Sequence, residues 1–93
     1  MSKKEMFFNL CKIMANMEDA ISTFSKLGFV VEPDESVGLD LYDTASVAYR
    51  IASSLLNVTD YEIETEIFDK LMPANLETVD KIAQEVWDKY GSN

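Results

Sequence analysis

The chain is predicted to be all-α, a small bundle of three to four helices with a long N-terminal helix. Three observations carry this. Apolar residues recur at three- and four-residue steps through most of the chain, the spacing of one helix face. Only three Gly and two Pro interrupt 93 residues, too few for the tight turns of an all-β chain. The apolar fraction of 47% and charged fraction of 27% belong to a globular domain, because disorder needs low hydrophobicity as well as high charge. Residues 1–93 are expected to form a single helical domain, long enough to bury a core without metal or disulfide staples.

The first helix is expected over 2–27. Phe7, Leu10, Met14, Met17, Ile21 and Phe24 step by three and four, and Met6, Ile13, Ala20 and Leu27 recur every seven residues beside them. The combined face is wider than a two-stranded seam and suits a bundle helix with two neighbours. Ser2 followed by Glu5 is a capping-box pattern. Gly28 is the natural stop, since glycine takes the left-handed cap conformation without steric cost. Phe29 to Gly38 reads as irregular, with Pro33, Gly38 and several acids.

The second helix is expected at about 40–57, with Asp40 or Asp43 as its cap. Leu41, Ala45, Ala48, Ala52 and Leu55 mark its inner face, and the three alanines would let a neighbouring helix approach closely. Asn57-Val58-Thr59 is a break, and Thr59 with Glu62 forms a second capping-box pattern opening a helix at about 60–72. Tyr61-Glu62-Ile63-Glu64-Thr65-Glu66-Ile67 alternates like a strand. The alternative fold is therefore α+β, with a small hairpin from residues near 29–32 and 61–67. Ile63, Ile67, Phe68 and Leu71 also fit a helix stripe, and no partner strand is evident, which favours helix. Pro73 ends this element. Asn75 then caps a fourth helix at about 76–90, with Leu76, Val79, Ala83, Val86 and Tyr90 on one face and Gly91 closing it.

The charge is polarised. Between Leu27 and Asp69 stand ten acids, Glu32, Asp34, Glu35, Asp40, Asp43, Asp60, Glu62, Glu64, Glu66 and Asp69, against one base, Arg50. The remaining segments balance seven acids with seven bases, so the middle carries the whole net charge of −9. Such a zone attracts basic partners and repels nucleic acid and anionic lipid. Direct nucleic-acid binding is not expected, because the bases are few and scattered. No run approaches the roughly 18 apolar residues of a membrane span, and a cytoplasmic location is expected.

The residues offer little for catalysis. There is no His, which removes the usual general base and the commonest zinc ligand. Cys11 is the only cysteine, and its place beside the first helix stripe reads as packing. Asp34 to Ala45 misses the glycine and the final glutamate of an EF-hand loop. No nucleophile, Gly-rich phosphate loop or metal cluster accompanies any carboxylate pair. No catalytic, cofactor-binding or metal-ligating residue is assigned, and the protein is not expected to be an enzyme.

Lys26-Leu27-Gly28, the acidic loop, Tyr42-Asp43…Ile51…Leu55-Leu56-Asn57 and Asp60-Tyr61-Glu62…Ile67-Phe68-Asp69-Lys70-Leu71 resemble short acidic helical proteins encoded by phages and mobile elements of Gram-positive bacteria. The resemblance covers residues 26–72, rests on spacing and composition, and transfers no functional residue. It implies no activity of its own, but small acidic proteins from such sources sometimes inhibit host nucleic-acid enzymes by stoichiometric binding, so an accessory protein that binds a host nucleic-acid-handling protein is an expectation. The function expected is a non-catalytic interaction module. Glu32, Asp34, Glu35, Asp40, Asp43, Glu62, Glu64, Glu66 and Asp69 would meet a basic protein surface. The alternative is a self-associating structural subunit, a homodimer with the wide first-helix face or an exposed Phe8 buried between chains.

Overall fold

The computed structural model describes residues 1–29 and 36–91, and the side chains of 36–40 are not among those described. Among the described residues the chain is four α-helices and a π-helical turn, with no strand: α1 (Lys3–Lys26), α2 (Ser36–Leu56), α3 (Tyr61–Leu71) and α4 (Val79–Val86), continued by the π turn Trp87–Gly91. The all-α expectation holds, and the strand-like alternation of 61–67 lies within α3.

Local chemistry sets the ends. The Glu5 N–H donates to Ser2 Oγ at 3.1 Å, satisfying one orphan donor of α1. At the other end Gly28 adopts φ +91°, its N–H donates to Ser25 O, and the Phe29 N–H donates to Phe24 O, both at 3.0 Å. This pair of bonds is the Schellman closure, which needs a residue at ease in the left-handed region. Asn57 ends α2 in that same region at φ 55°.

Three boundaries differ from the sequence reading. First, α2 begins at Ser36, so Ser36 to Gly38 is helical and Asp40 and Asp43 lie inside the helix rather than at its cap. One glycine in a helix costs only about 1 kcal/mol, which the packing of a 21-residue helix outweighs. Second, the cap of α3 is Asp60, not Thr59. Its carboxylate accepts from the N–H groups of Glu62 at 2.9 Å and Ile63 at 3.3 Å. Asp60→Ala is therefore expected to cost about 1 kcal/mol in denaturant unfolding, and Thr59→Ala close to nothing; equal costs would contradict this cap. Third, Asn75 caps a turn that leads into α4: its side chain accepts from Glu77 N–H at 3.0 Å and Thr78 N–H at 3.1 Å. Leu76 sits on that turn and is exposed, not part of the core stripe.

One cluster of buried residues draws on all four α-helices. From α1 come Phe7, Cys11, Met14 and Ala15; from α2, Ala45, Ala48, Tyr49, Ala52 and Leu56; from α3, Ile67 and Leu71; from α4, Val79, Ala83 and Val86. The alanine row of α2 is buried as expected, and α1 packs most extensively against that helix. The face of α1 is rolled relative to the predicted one. Cys11 and Ala15 are buried, Ile21 is only half-buried, and Phe24 is exposed. Two small side chains on that side admit α4, whose π-turn Trp87 meets Phe7 with ring centroids 5.6 Å apart. Phe8, expected to be free, is half-buried beside Phe7, edge-on at 6.2 Å. Burial pushes the Cys11 thiol from 9.0 up to about 12.

The helix directions follow from these contacts. The Leu76 N–H donates to Asp19 Oδ2 at 3.0 Å, while Trp87 lies on Phe7, so α4 runs antiparallel to α1. Tyr90 reaches the hollow between Leu56 and Ile63, which brings the end of α2 to the start of α1. Thus α1 and α2 are also antiparallel. Glycine at 91 leaves room for the Trp87 indole, which a Cβ there would overlap.

Candidate functional site

The acids on α3 do not form one row. A helix turns about 100° per residue, so the alternating acids of 62, 64 and 66 separate. Glu62 and Glu66 lie four residues apart on the outer side, while Glu64 faces the other way, towards α2. Asp69 borders both sides. Tyr61, Glu64, Thr65, Phe68 and Asp69 share a stripe at i, i+3, i+4, i+7 and i+8. With Tyr49 of α2 they line an open cleft of about 420 Å³.

This cleft is aromatic and acidic at once. Tyr61 is 80% exposed and Phe68 41%. The Phe68 ring stands edge-on to Tyr49, centroids 5.0 Å apart and planes at 86°. The Tyr49 hydroxyl donates to the Glu64 carbonyl at 2.8 Å, which locks the floor of the cleft to α3. Tyr49 titrates above its usual 10.0, chiefly because it is buried. The nearby Ser53 hydroxyl offsets this, and the negative charges of Glu64 and Asp69 add to it. The phenol is therefore neutral at physiological pH, and the formal charges in the cleft are the two carboxylates.

Glu66 has a different role. Its carboxylate accepts from Lys89 Nζ at 3.0 Å and from the Tyr90 hydroxyl at 3.1 Å, with Lys70 Nζ at 3.6 Å. Hydrogen bonds from Lys89 and Tyr90 hold it below the usual carboxylate range, and the same bond raises Lys89. Lys89 also stands over the Tyr90 ring at 5.2 Å. Glu66 thus fastens the π turn to α3. Among the described residues both ion pairs converge on it. Arg50 shares a neighbouring hollow with Glu64 without pairing with it.

The other predicted residues lie elsewhere. Asp43 is exposed on α2 and lines a groove against α1 with Leu10, Ile13, Thr44, Val47, Ala48 and Ile51, away from the α3 cleft. Asp40 has its backbone in α2, its side chain outside the described residues; Glu32, Asp34 and Glu35 lie wholly outside them. The aromatic half of the cleft was missed by sequence reasoning, which placed Phe68 on the core stripe. The seven-residue step from Tyr61 to Phe68, with Glu64 and Thr65 between, was the available signal.

Among the described residues no group of three or more Cys, Asp or Glu is placed to hold a metal ion, and no helix is long and apolar enough to cross a membrane. Comparison with known protein families, with curated proteins and with solved structures finds no match to this chain. What the cleft can do chemically is bind a cation. Carboxylates at its edge attract a Lys or Arg side chain, and ring faces accept it.

Proposed function

We propose that this protein is a non-catalytic interaction module that docks a basic protein surface through the acidic-aromatic cleft of α3. The observation that carries the reading is the pairing of exposed Tyr61 and Phe68 with Glu64 and Asp69 on one helical stripe, where neither carboxylate has an ion-pair partner among the described residues. An arginine entering the cleft gains a stacking surface and a carboxylate together. Glu62 adds long-range attraction from the outer side of the helix, whereas Glu66 is taken up by Lys89 and Tyr90 of the π turn and stands outside the cleft. The resemblance to acidic phage and mobile-element proteins makes a host nucleic-acid-handling protein the first class of partner to try, since such proteins carry basic grooves.

The test uses a hexa-arginine peptide as probe, with binding followed by amide chemical shifts at rising salt. Shifts are expected to concentrate at Tyr61, Thr65, Phe68 and Asp69 and to weaken with salt, because exposed attraction is screened over about 8–10 Å. Tyr61→Ala is expected to weaken binding about three-fold, the scale of an exposed cation–π contact. Asp69→Asn should weaken it further, while Glu62→Gln, removing equal charge outside the cleft, should change it less. Equal losses for Asp69→Asn and Glu62→Gln, or shifts spread over all acids, would show charge without a site and reject the reading.

A further inference from the structure

A second face of the molecule is apolar and uncovered. Once α1 is rolled so that Phe7, Cys11, Met14 and Ala15 point inward, another row remains on its flank beside α2. Met6, Leu10, Ile13, Met17, Ala20, Phe24 and Leu27 step 4-3-4-3-4-3, three heptads of the spacing by which one helix packs on another. Leu10 and Met17 pack in part against the core and Ala20 is half-buried, while Met6, Ile13, Phe24 and Leu27 are exposed, Ile13 at 40% and Leu27 at 67%. The row is bordered on its outer side by Asn9, Asn16 and Thr23, seven residues apart and uncharged. By the helical period Lys3 continues the row at its start, three residues before Met6, while the other charged residues Lys4, Glu5, Lys12, Glu18, Asp19 and Lys26 fall elsewhere on α1. Across the groove α2 adds Val47 at 52% exposure and Ile51 at 46%.

The charges on the far rim select the occupant. Asp43 and Arg50 are both exposed on α2, four residues before and three residues after Val47, on one side of the helix. Among the described residues neither is in an ion pair. A two-fold axis passing by Val47, perpendicular to the helices, sets α2 antiparallel to its copy. That operation brings Asp43 of each copy opposite Arg50 of the other, twice. The same axis lays α1 along α1 of the second copy, with Ile13 close to the axis because it lines the same groove as Val47. A net charge of −9 opposes self-association, but on this face the charges of the two copies are complementary.

The paired area follows from the axis. With Ile13 near it, Met6 of one copy faces Ala20 of the other, so the overlapping stripe is about 21 Å long at 1.5 Å per residue, and two helices side by side are about 20 Å wide. The overlap is thus roughly 400 Å² per copy before its corrugation is counted, at the small end of interface sizes, as suits a weak and reversible dimer. Its centre is apolar and its rim is polar.

We propose that the α1–α2 face is the interface of a two-fold symmetric homodimer, in which two helical hairpins pack antiparallel and Asp43 of each copy pairs with Arg50 of the other. The α3 cleft lies outside this contact, so the dimer would present two clefts.

Sedimentation of the full chain tests this. The mass expected rises towards twice 10.5 kDa as concentration approaches the millimolar range, and persists in 1 M salt because apolar contact dominates. Val47→Lys and Ile13→Asn alter exposed positions and are each expected to return the mass to 10.5 kDa with helicity unchanged. Asp43→Arg should weaken the dimer, and combining it with Arg50→Asp should restore it, an outcome that folding effects do not mimic. In the unaltered chain, amide exchange along the Met6–Ala20 part of the stripe should slow as concentration rises. A mass of 10.5 kDa at every concentration up to the millimolar range overturns the proposal, as does a dimer insensitive to both Val47→Lys and Ile13→Asn.

Discussion

Phe7→Ala is expected to lower stability by about 3–5 kcal/mol, the largest loss of any single truncation in this molecule. Phe7 is completely buried, and its ring joins the first turns of α1 to Phe8 and to the Trp87 indole. Truncation removes the transfer energy of the ring and leaves a cavity that rigid neighbours fill only in part. In a domain of this size each kcal/mol moves the thermal midpoint by about 4–8 °C, so a fall of roughly 12–40 °C is expected. Trp87 supplies a local readout, since it is the only tryptophan and touches the deleted ring. Its emission should change even at temperatures where helicity is retained. Ile21→Ala, on the half-buried flank of the same helix, should cost clearly less. Equal losses at Phe7 and Ile21 would contradict the roll of α1.

The second large effect is alkaline destabilisation through Cys11. Its thiol is buried and titrates at about 12 instead of 9.0, because ionising it inside the core strips the thiolate of water. The unfolded chain therefore ionises first as pH rises. The stabilising contribution is intact below pH 9.0 and drains away as pH climbs towards about 12. Between neutral pH and about pH 10.5 the loss is on the order of 2 kcal/mol. Tyr49, also raised by burial, acts in the same direction above pH 10.0. Comparing the unaltered chain with Cys11→Ala isolates the thiol, because every other group is shared. Urea unfolding at pH 7.5 and 10.5 should give the variant a shallower decline, by about the 2 kcal/mol that linkage assigns to the thiol. Parallel declines would mean that Cys11 is not buried.

The helices were legible because each buries a face whose period shows in the residues: the alanine row of α2, Val79-Ala83-Val86 on α4, and Ile67 with Leu71 on α3. The roll of α1 was not. Its apolar residues occupy more than half the circumference, so period alone cannot choose which side faces inward. The choice falls to Cys11 and Ala15, which are small enough to admit α4. The start of α2 was hidden by Gly38 and by acids that read as loop chemistry. At α3, Asp60 outcompetes Thr59 as cap by one residue, a distinction that backbone geometry decides. The acids of the candidate site were visible at once, but their partition was not. Lys89 and Tyr90 reach Glu66 from 23 and 24 residues away, a pairing no local pattern announces.

The antiparallel closure of α4 on α1 sets an order of assembly. The α1–α2 hairpin joins near neighbours in sequence and can form early, as local contacts do. Phe7, however, gains its aromatic cover from residue 87, and Asp19 meets the backbone of residue 76, 57 positions along. At about 5–20 residues per second of synthesis, several seconds separate the emergence of Phe7 from that of Trp87. In the last part of that interval, after Leu56 has emerged and before Trp87 does, a nascent hairpin would carry a bare apolar groove, the state in which a chaperone or another nascent chain has its best opportunity to bind.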